Sequence, residues 1–109
     1  MGRRSTVFAL GTGQVEQLIR TRAADSAAVY FTEHARIQMR KRHIGVDLAL
    51  EVLRRGALRR APEPNLARGS LECRMERYIA GRNLGVVAAL SDADPGLVVV
   101  TAMELGGSR

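Results

Sequence analysis

Cysteine and tryptophan are almost missing from this sequence. Cys73 is the only cysteine, and there is no tryptophan. A single cysteine excludes an intramolecular disulfide and a cysteine zinc cluster, and it fits a reducing cytosol. The fold must therefore rest on an apolar core. A chain of 109 residues, 46% of them apolar, can bury roughly two thirds of the surface that its unfolded form exposes, so one domain is expected.

Aromatic residues and long apolar runs are also few. No apolar run approaches the ~18 residues of a membrane span, and the apolar stretch near the start is too short for a signal peptide. We therefore predict a soluble, cytoplasmic protein without membrane contact. The aromatic residues offer little surface for stacking nucleic-acid bases. They are Phe8, Tyr30, Phe31 and Tyr78.

Acidic residues are outnumbered, and the excess positive charge lies in one part of the chain. Lysine and arginine total 17 against 11 Asp and Glu, a net charge of +6. Between Glu33 and Arg60 there are eight positive and three negative residues, which gives this segment a net charge of +5. Such a basic surface attracts phosphate backbones or acidic protein surfaces. The alternative explanation of the excess charge is that the arginines only form solvated helix faces in an arginine-rich chain.

The spacing of apolar residues predicts three helices in the first half of the chain. The first is expected from Gln14 to Ala23, with Gly11-Thr12-Gly13 before it as a helix start and not a phosphate-binding loop. The second follows Thr32, whose hydroxyl can cap it, and runs to about Arg42. The third covers Val46 to Arg55 and is clearly amphipathic.

Glycines are expected to mark the helix ends. Ile44-Gly45 is predicted to form the turn between the second and third helices. Gly56 stands where a C-cap glycine is usual.

From Ala57 onward the apolar period changes from helical to two, which predicts strands. Cys73 alternates with polar neighbours and is expected in the sheet core. The apolar run Leu84–Leu90 is typical of a central strand covered on both faces. Turns are predicted at Gly81–Asn83 and at Ser91–Gly96. The predicted strands are Ala57–Ala61, Leu71–Ala80, Leu84–Leu90 and Leu97–Leu105.

Helices followed by antiparallel strands predict an α+β domain. The N-terminal helices should pack on one face of a three- to four-stranded antiparallel sheet. We interpret residues 1–26 as a leader with a short helix, in which Arg3 and Arg4 are exposed. Residues 27–105 form the single domain, and residues 106–109 are a frayed tail.

Metal and thiol chemistry find little support in the sequence. His34 and His43 are nine residues apart, and no cysteine or carboxylate pair completes a ligand set at a recognised spacing. We interpret Cys73 as a core residue and not as a nucleophile. No metal and no cofactor are predicted.

Metal-free RNA cleavage fits the basic segment better. The reaction needs a base, an acid and cations around the phosphate. His34 is the candidate base because imidazole exchanges protons near neutral pH, and Tyr78 is a weaker candidate as a proton donor or stacking surface. The other interpretation is a His34 ring that packs on the sheet and bonds a backbone carbonyl. The residues predicted to contact phosphates are Arg36, Arg40, Lys41, Arg42, Arg74 and Arg77.

A helix-turn-helix that reads DNA also fits the spacing from Thr32 to Gly56. The second helix of the pair would then lie in the major groove. Its exposed side carries Asp47 and Glu51, which phosphates would repel. The charges therefore favour the first helix of the pair as the functional surface.

The segment from Phe31 to Gly56 resembles a known pattern. The pattern has an aromatic residue, Ser or Thr, any residue and His-Ala, followed by spaced Met, Arg and Ile and by a helix that ends in Gly. These positions are Phe31-Thr32-Glu33-His34-Ala35, Met39, Arg42, Ile44 and Gly56. On these residues the chain is similar to the bacterial domain-of-unknown-function family four-two-five-eight, over about Tyr30 to Leu105. It departs at Gln38, where the family usually has Arg, and at Gly45, where the family has Ser or Thr.

The resemblance implies a fold similar to the RelE/ParE toxin superfamily, whose relatives include ribosome-dependent ribonucleases and gyrase poisons. We therefore expect a small basic RelE-like domain that binds RNA or a ribosomal surface, with metal-free ribonuclease activity and a toxin role. An acidic antitoxin would be its protein partner. The competing hypothesis is a non-catalytic interaction or accessory module that docks an acidic partner through its basic helix.

Overall fold

The computed structural model describes residues 6–106, which form an α+β fold with three α-helices and a six-stranded sheet. Short 3-10 turns cover Val7–Ala9 and Ser26–Ala28. The positions of Arg3 and Arg4, and the tail from residue 107, lie outside the described residues. The helices are α1 Thr12–Ala23, α2 Glu33–Lys41 and α3 Val46–Arg55. The strands are β1 Val29–Phe31, β2 Ala57–Leu58, β3 Glu63–Asn65, β4 Ser70–Ile79, β5 Arg82–Ser91 and β6 Asp94–Glu104.

The sheet is built around an antiparallel meander of β4, β5 and β6. Its order is β1-β6-β5-β4-β2, with β3 also paired to β4, and β1 runs parallel to β6. The four predicted strands are present, although β2 is only two residues long. The sheet has six strands and not three to four because β1 and β3 add to these. β3 contains Pro64. Proline has no amide hydrogen to donate, which an edge strand tolerates because no second neighbouring strand needs that hydrogen bond.

The helices cover one face of this sheet, as the alternation of buried side chains shows. On β4, Leu71, Cys73 and Met75 are buried, whereas Glu72 and Arg74 between them are only half-buried. Apolar side chains of all three helices join the same core. Successive strand residues point to opposite faces, so Glu72 and Arg74 project from the face that the helices leave open.

Helix α1 belongs to this core. Val15, Ile19 and Ala23 are fully buried. The Arg20 guanidinium donates to the Gly56 carbonyl, 2.7 Å from Nη2, and Arg54 Nε donates to the Ala23 carbonyl at 2.6 Å. α1 is therefore joined to the C-terminal end of α3 by hydrogen bonds, and its apolar residues share the core with that helix. It begins at Thr12, two residues earlier than predicted.

The turn after α2 lies earlier than predicted. His43 adopts the left-handed conformation with φ 56°. Its amide donates to the Arg40 carbonyl at 3.2 Å, and the Ile44 amide donates to the Met39 carbonyl at 2.8 Å. These two bonds, with Ile44 and Met39 both buried, form a Schellman cap. The expected Ile44-Gly45 turn was wrong because His43 takes the position that glycine usually fills.

Gly56 is the C-cap of α3, as predicted, and its amide donates to the Val52 carbonyl at 2.8 Å. Its backbone is extended, so a left-handed conformation is not the reason for glycine there. Instead, a β-carbon there would lie 2.4 Å from the Val52 carbonyl oxygen and 2.7 Å from that of Glu76. The β4–β5 turn consists of Ala80 and Gly81, both at positive φ, since Ile79 pairs with Arg82. This is one residue before the predicted turn.

Strand β5 is central, as predicted, but only one of its faces is fully covered. Leu84, Val86, Ala88 and Leu90 are completely buried under the helices, whereas Val87 and Ala89 are half-buried on the other face. The apolar character of this second face is explained by the cavity that it lines.

Candidate functional site

A cavity of about 530 Å³ opens on the sheet face opposite the helices. Its apolar lining comes from β5 and β6. Its polar lining comes from the start of α2, the β3–β4 loop, the first half of β4 and the adjoining ends of β5 and β6. One histidine, one arginine and two carboxylates are thus brought together from distant parts of the chain. The lining residues are Thr32, His34, Arg68, Ser70, Glu72, Ala89, Ser91, Asp94, Val98 and Val100.

The start of α2 places His34 at this cavity. The Thr32 amide donates to the Val99 carbonyl on β6 at 3.1 Å, and Thr32 Oγ1 accepts from the Ala35 amide at 3.0 Å. The N-cap predicted for Thr32 is therefore present, and it anchors the first turn of the helix to the sheet. Within residues 6–106 the His34 ring has no hydrogen-bond partner, so it is open to a ligand.

Glu72 is held in place from the neighbouring strand. Asn65 Nδ2 on β3 donates to Glu72 Oε2 at 3.1 Å. The Asn65 carbonyl and Oδ1 both accept from the Arg68 amide, at 3.2 and 3.3 Å. One asparagine thus positions both the carboxylate and the loop that carries Arg68. In the part of the chain that the structure describes, the Arg68 guanidinium forms no ion pair or hydrogen bond.

Ser70 adds a buried hydroxyl without a partner. The residue is only 6% exposed, it lines the cavity, and its Oγ has no hydrogen bond. Leaving such a group unpaired costs about 1–3 kcal/mol. A ligand in the cavity could supply the missing bond.

A second depression of about 200 Å³ continues the cavity along the same face. It shares Glu72 and Val100 with the larger one and adds Arg60 and Arg74. Arg74 Nε pairs with Glu76 Oε2 at 2.9 Å. The open face thus carries a groove lined by both positive and negative side chains.

The three strand residues that the sequence predicted for the site lie in three different places. Arg74 lies in the groove next to the His34 cavity, sharing Glu72 with it. Arg77 follows Met75 on the helix-covered side, where its Nη1 donates to the Arg55 carbonyl at 3.3 Å. Tyr78 is 71% exposed and lies six residues beyond Glu72 on β4, about 20 Å away. The structure therefore does not group Arg77 or Tyr78 with His34.

The predicted residues of α2 lie outside the cavity lining. Arg36 Nε donates to the Phe31 carbonyl at 3.3 Å, and its guanidinium lies 6.0 Å from the centre of the Phe31 ring. Arg42 donates to Gln38 and, at 3.3 Å, to the Ala102 carbonyl. Arg40 and Lys41 are exposed. This part of α2 is a basic surface beside the site.

Cys73 lies directly behind the cavity, on the core side of β4. Burial, with a smaller contribution from the Glu72 carboxylate, raises the pKa of its thiol from 9.0 to about 12. The thiol stays protonated at neutral pH and cannot act as a nucleophile. This agrees with its prediction as a core residue.

No group of three metal-ligating side chains lies together within residues 6–106. Over the same residues, no helix has both the length and the apolar character to span a bilayer.

Fold and site define a class of small α+β domains whose helices cover one sheet face and whose other face carries an open polar groove. The family model described as a domain of unknown function, DUF4258, matches residues 31–104. The chain belongs to this family, as the pattern that begins at Phe31 predicted. No significant match to a curated protein or to a solved structure is found.

Proposed function

We propose that this protein is a RelE/ParE-like domain that binds RNA across its open sheet face and cleaves it without a metal ion. The observation that carries the proposal is the cavity in which His34, Arg68 and Glu72 meet. A proton donor, a proton acceptor and a cation are the groups that phosphodiester transfer requires. The match to the family supports the resemblance from which the proposal began.

The cavity suggests a role for each of these groups. The Glu72 carboxylate can only accept, so we assign it to take the proton from the ribose 2′-hydroxyl. The 2′-oxygen then bonds to phosphorus, and the bond from phosphorus to the 5′-oxygen breaks. His34, in its protonated form, gives its proton to that leaving oxygen, and Arg68 stabilises the charged phosphoryl oxygens. The products are a 2′,3′-cyclic phosphate and a 5′-hydroxyl end.

This assignment makes His34 the acid, whereas the sequence suggested a base. The change follows from Glu72, because a carboxylate that lines the same cavity as the imidazole supplies the accepting group. Arg74 would bind a neighbouring phosphate in the adjoining depression. Arg40 and Lys41, which are exposed on α2, would attract the rest of the strand electrostatically. Cleavage of cellular RNA would make the protein a toxin, with an acidic antitoxin as its partner.

The proposal predicts cleavage of single-stranded RNA by the purified protein in the presence of EDTA. His34→Ala and Glu72→Gln should each lower the rate by about 10²–10⁴-fold, the range for loss of a proton-transfer group. The products are separated on a denaturing gel, and the cyclic phosphate is identified by mass spectrometry.

His43→Gly is the matched control, because it removes the other histidine at a left-handed position that suits glycine. It should keep the full rate. Cleavage that persists in both site variants would refute the assignment. Absence of both cleavage and salt-dependent RNA retention by the wild-type protein would refute RNA as the target.

The alternative of a docking module for an acidic protein is favoured by one observation. Arg40 and Lys41 are exposed at the end of α2 that is remote from the cavity. Replacing both with glutamine should abolish capture of such a partner. RNA binding should only weaken, and the His34-dependent rate at saturating RNA should persist because the cavity itself is unchanged. An unchanged capture would exclude this surface.

A further inference from the structure

Tyr30 is an exposed aromatic residue at the edge of the cavity. On β1 its neighbours Val29 and Phe31 are buried, whereas Tyr30 is 64% exposed. It therefore points to the open face of the sheet. In the parallel pairing of β1 with β6, Tyr30 lies opposite Val98, which lines the cavity.

The chain direction also links Tyr30 to the His34 side of the cavity. Thr32, two residues farther on, lines it, and two extended residues span about 7 Å. The phenol ring thus lies next to the cavity wall that carries His34, with the apolar Val98 beside it. The unpartnered Ser70 hydroxyl on the other wall independently marks the cavity as a ligand site.

We propose that Tyr30 is the stacking platform for an unpaired nucleobase, and that the substrate of the cavity is single-stranded RNA. The inference rests on the proposed function, since the phosphate of the stacked nucleotide would lie between His34 and Arg68. A flat aromatic ring accepts any base on its face and so binds without strong sequence preference. Bases inside a duplex are stacked on one another and cannot offer that face.

Because the chain lacks tryptophan, the stacking can be measured directly by tyrosine fluorescence. The chain has two tyrosines and no tryptophan, so Tyr30 is the only tyrosine fluorophore of a Tyr78→Phe variant. The probe is a single-stranded hexamer of 2′-O-methyl RNA, which cannot be cleaved because it lacks the attacking hydroxyl. It should quench the Tyr78→Phe variant in a saturable way and leave Tyr30→Phe, whose remaining fluorophore is Tyr78, unquenched.

Affinity gives a second, independent readout. By fluorescence anisotropy of the labelled hexamer, Tyr30→Ala should bind about 10–100-fold more weakly, as expected for loss of one stacked base. Tyr30→Phe keeps the ring and should bind like the wild type. Tyr78→Ala is the matched control, because Tyr78 is also exposed and lies about 20 Å from Glu72 along β4. This variant should keep the affinity of the wild type. The same hexamer in a duplex should bind at least tenfold more weakly.

The outcomes separate this inference from the proposed cleavage. Equal binding of the hexamer by Tyr30→Ala and wild type, without quenching of Tyr30, overturns the stacking platform and leaves cleavage standing. Quenching and loss of affinity in a protein that cleaves no RNA support the platform and overturn the ribonuclease. Equal affinity for duplex and single strand overturns the substrate class, and no binding at all overturns both proposals.

Discussion

Cys73 couples the stability of the core to pH. Its pKa is about 12 in the folded protein and 9.0 ordinarily, because burial and, secondarily, Glu72 disfavour the thiolate. Only the unfolded chain gives up this proton between pH 9 and 12. Its contribution to stability is therefore complete below pH 9 and is lost as pH rises toward 12, by about 1.4 kcal/mol per pH unit.

Urea unfolding at pH 8, 9 and 10 measures this contribution. The informative quantity is the difference between wild type and Cys73→Ala, because the other groups of the chain respond to alkali equally in both proteins. That difference should shrink above pH 9. A difference that stays constant from pH 8 to 10 would show that the thiol ionises equally easily in both states.

Among the residues of the candidate site, the sequence could indicate only those whose chemistry is unusual by itself. His34 was found because imidazole exchanges protons near neutral pH and because a capped helix begins beside it. Glu72 and Ser70 gave no such signal, since each looked like an ordinary polar residue in a strand or loop. Their meeting with His34 depends on pairing between distant strands, which no local pattern encodes. Stacking by Tyr30 was discounted because the aromatic residues are few, and its place beside the cavity follows only from the pairing of β1 with β6.

At the scale of elements, Gly56 joins α3 to β2 at a point where backbone atoms crowd it. Gly56→Ala should destabilise the protein by about 2–4 kcal/mol, because the new methyl group would meet the carbonyl oxygens of Val52 and Glu76. Gly13→Ala is the control. Nothing lies within 4 Å of a β-carbon there, and alanine should stabilise this helical position by up to about 1 kcal/mol.

Both changes are measured as free energies of unfolding in urea. The two values should have opposite signs. Equal, small effects would mean that the α3–β2 junction relaxes without cost, in contrast to the close approach seen at Gly56.

The helices were predictable because their signals are local. Thr32 caps α2, and the apolar arc of α3 is complete within Val46–Arg55, so both helices lie within one residue of their predicted ends. β1 and β3 were missed because three residues carry too little periodicity. They are strands only because β6 and β4 offer them partners.

At the scale of the molecule, the core extends beyond the part that the family model matches. α1 precedes residue 31, yet Ile19 is completely buried. Ile19→Ala should therefore destabilise the whole domain by about 2–5 kcal/mol, whereas Gln17→Ala on the exposed side of α1 should change it by less than about 0.5 kcal/mol. Thermal unfolding followed by circular dichroism tests this. If Ile19→Ala unfolds like the wild type, α1 is an appendage and not a part of the core.

The parallel pairing of β1 with β6 also determines when the sheet can be completed during synthesis of the chain. Of the strands in residues 6–106, β6 is synthesised last, yet it lies between β1 and β5 in the sheet. Until it emerges, Val29 and Phe31 have no strand to pair with. The nascent chain must therefore carry α1, α2 and α3 with part of their apolar surface uncovered. Because this closing step joins residues from opposite ends of the domain, we expect it to limit the folding rate.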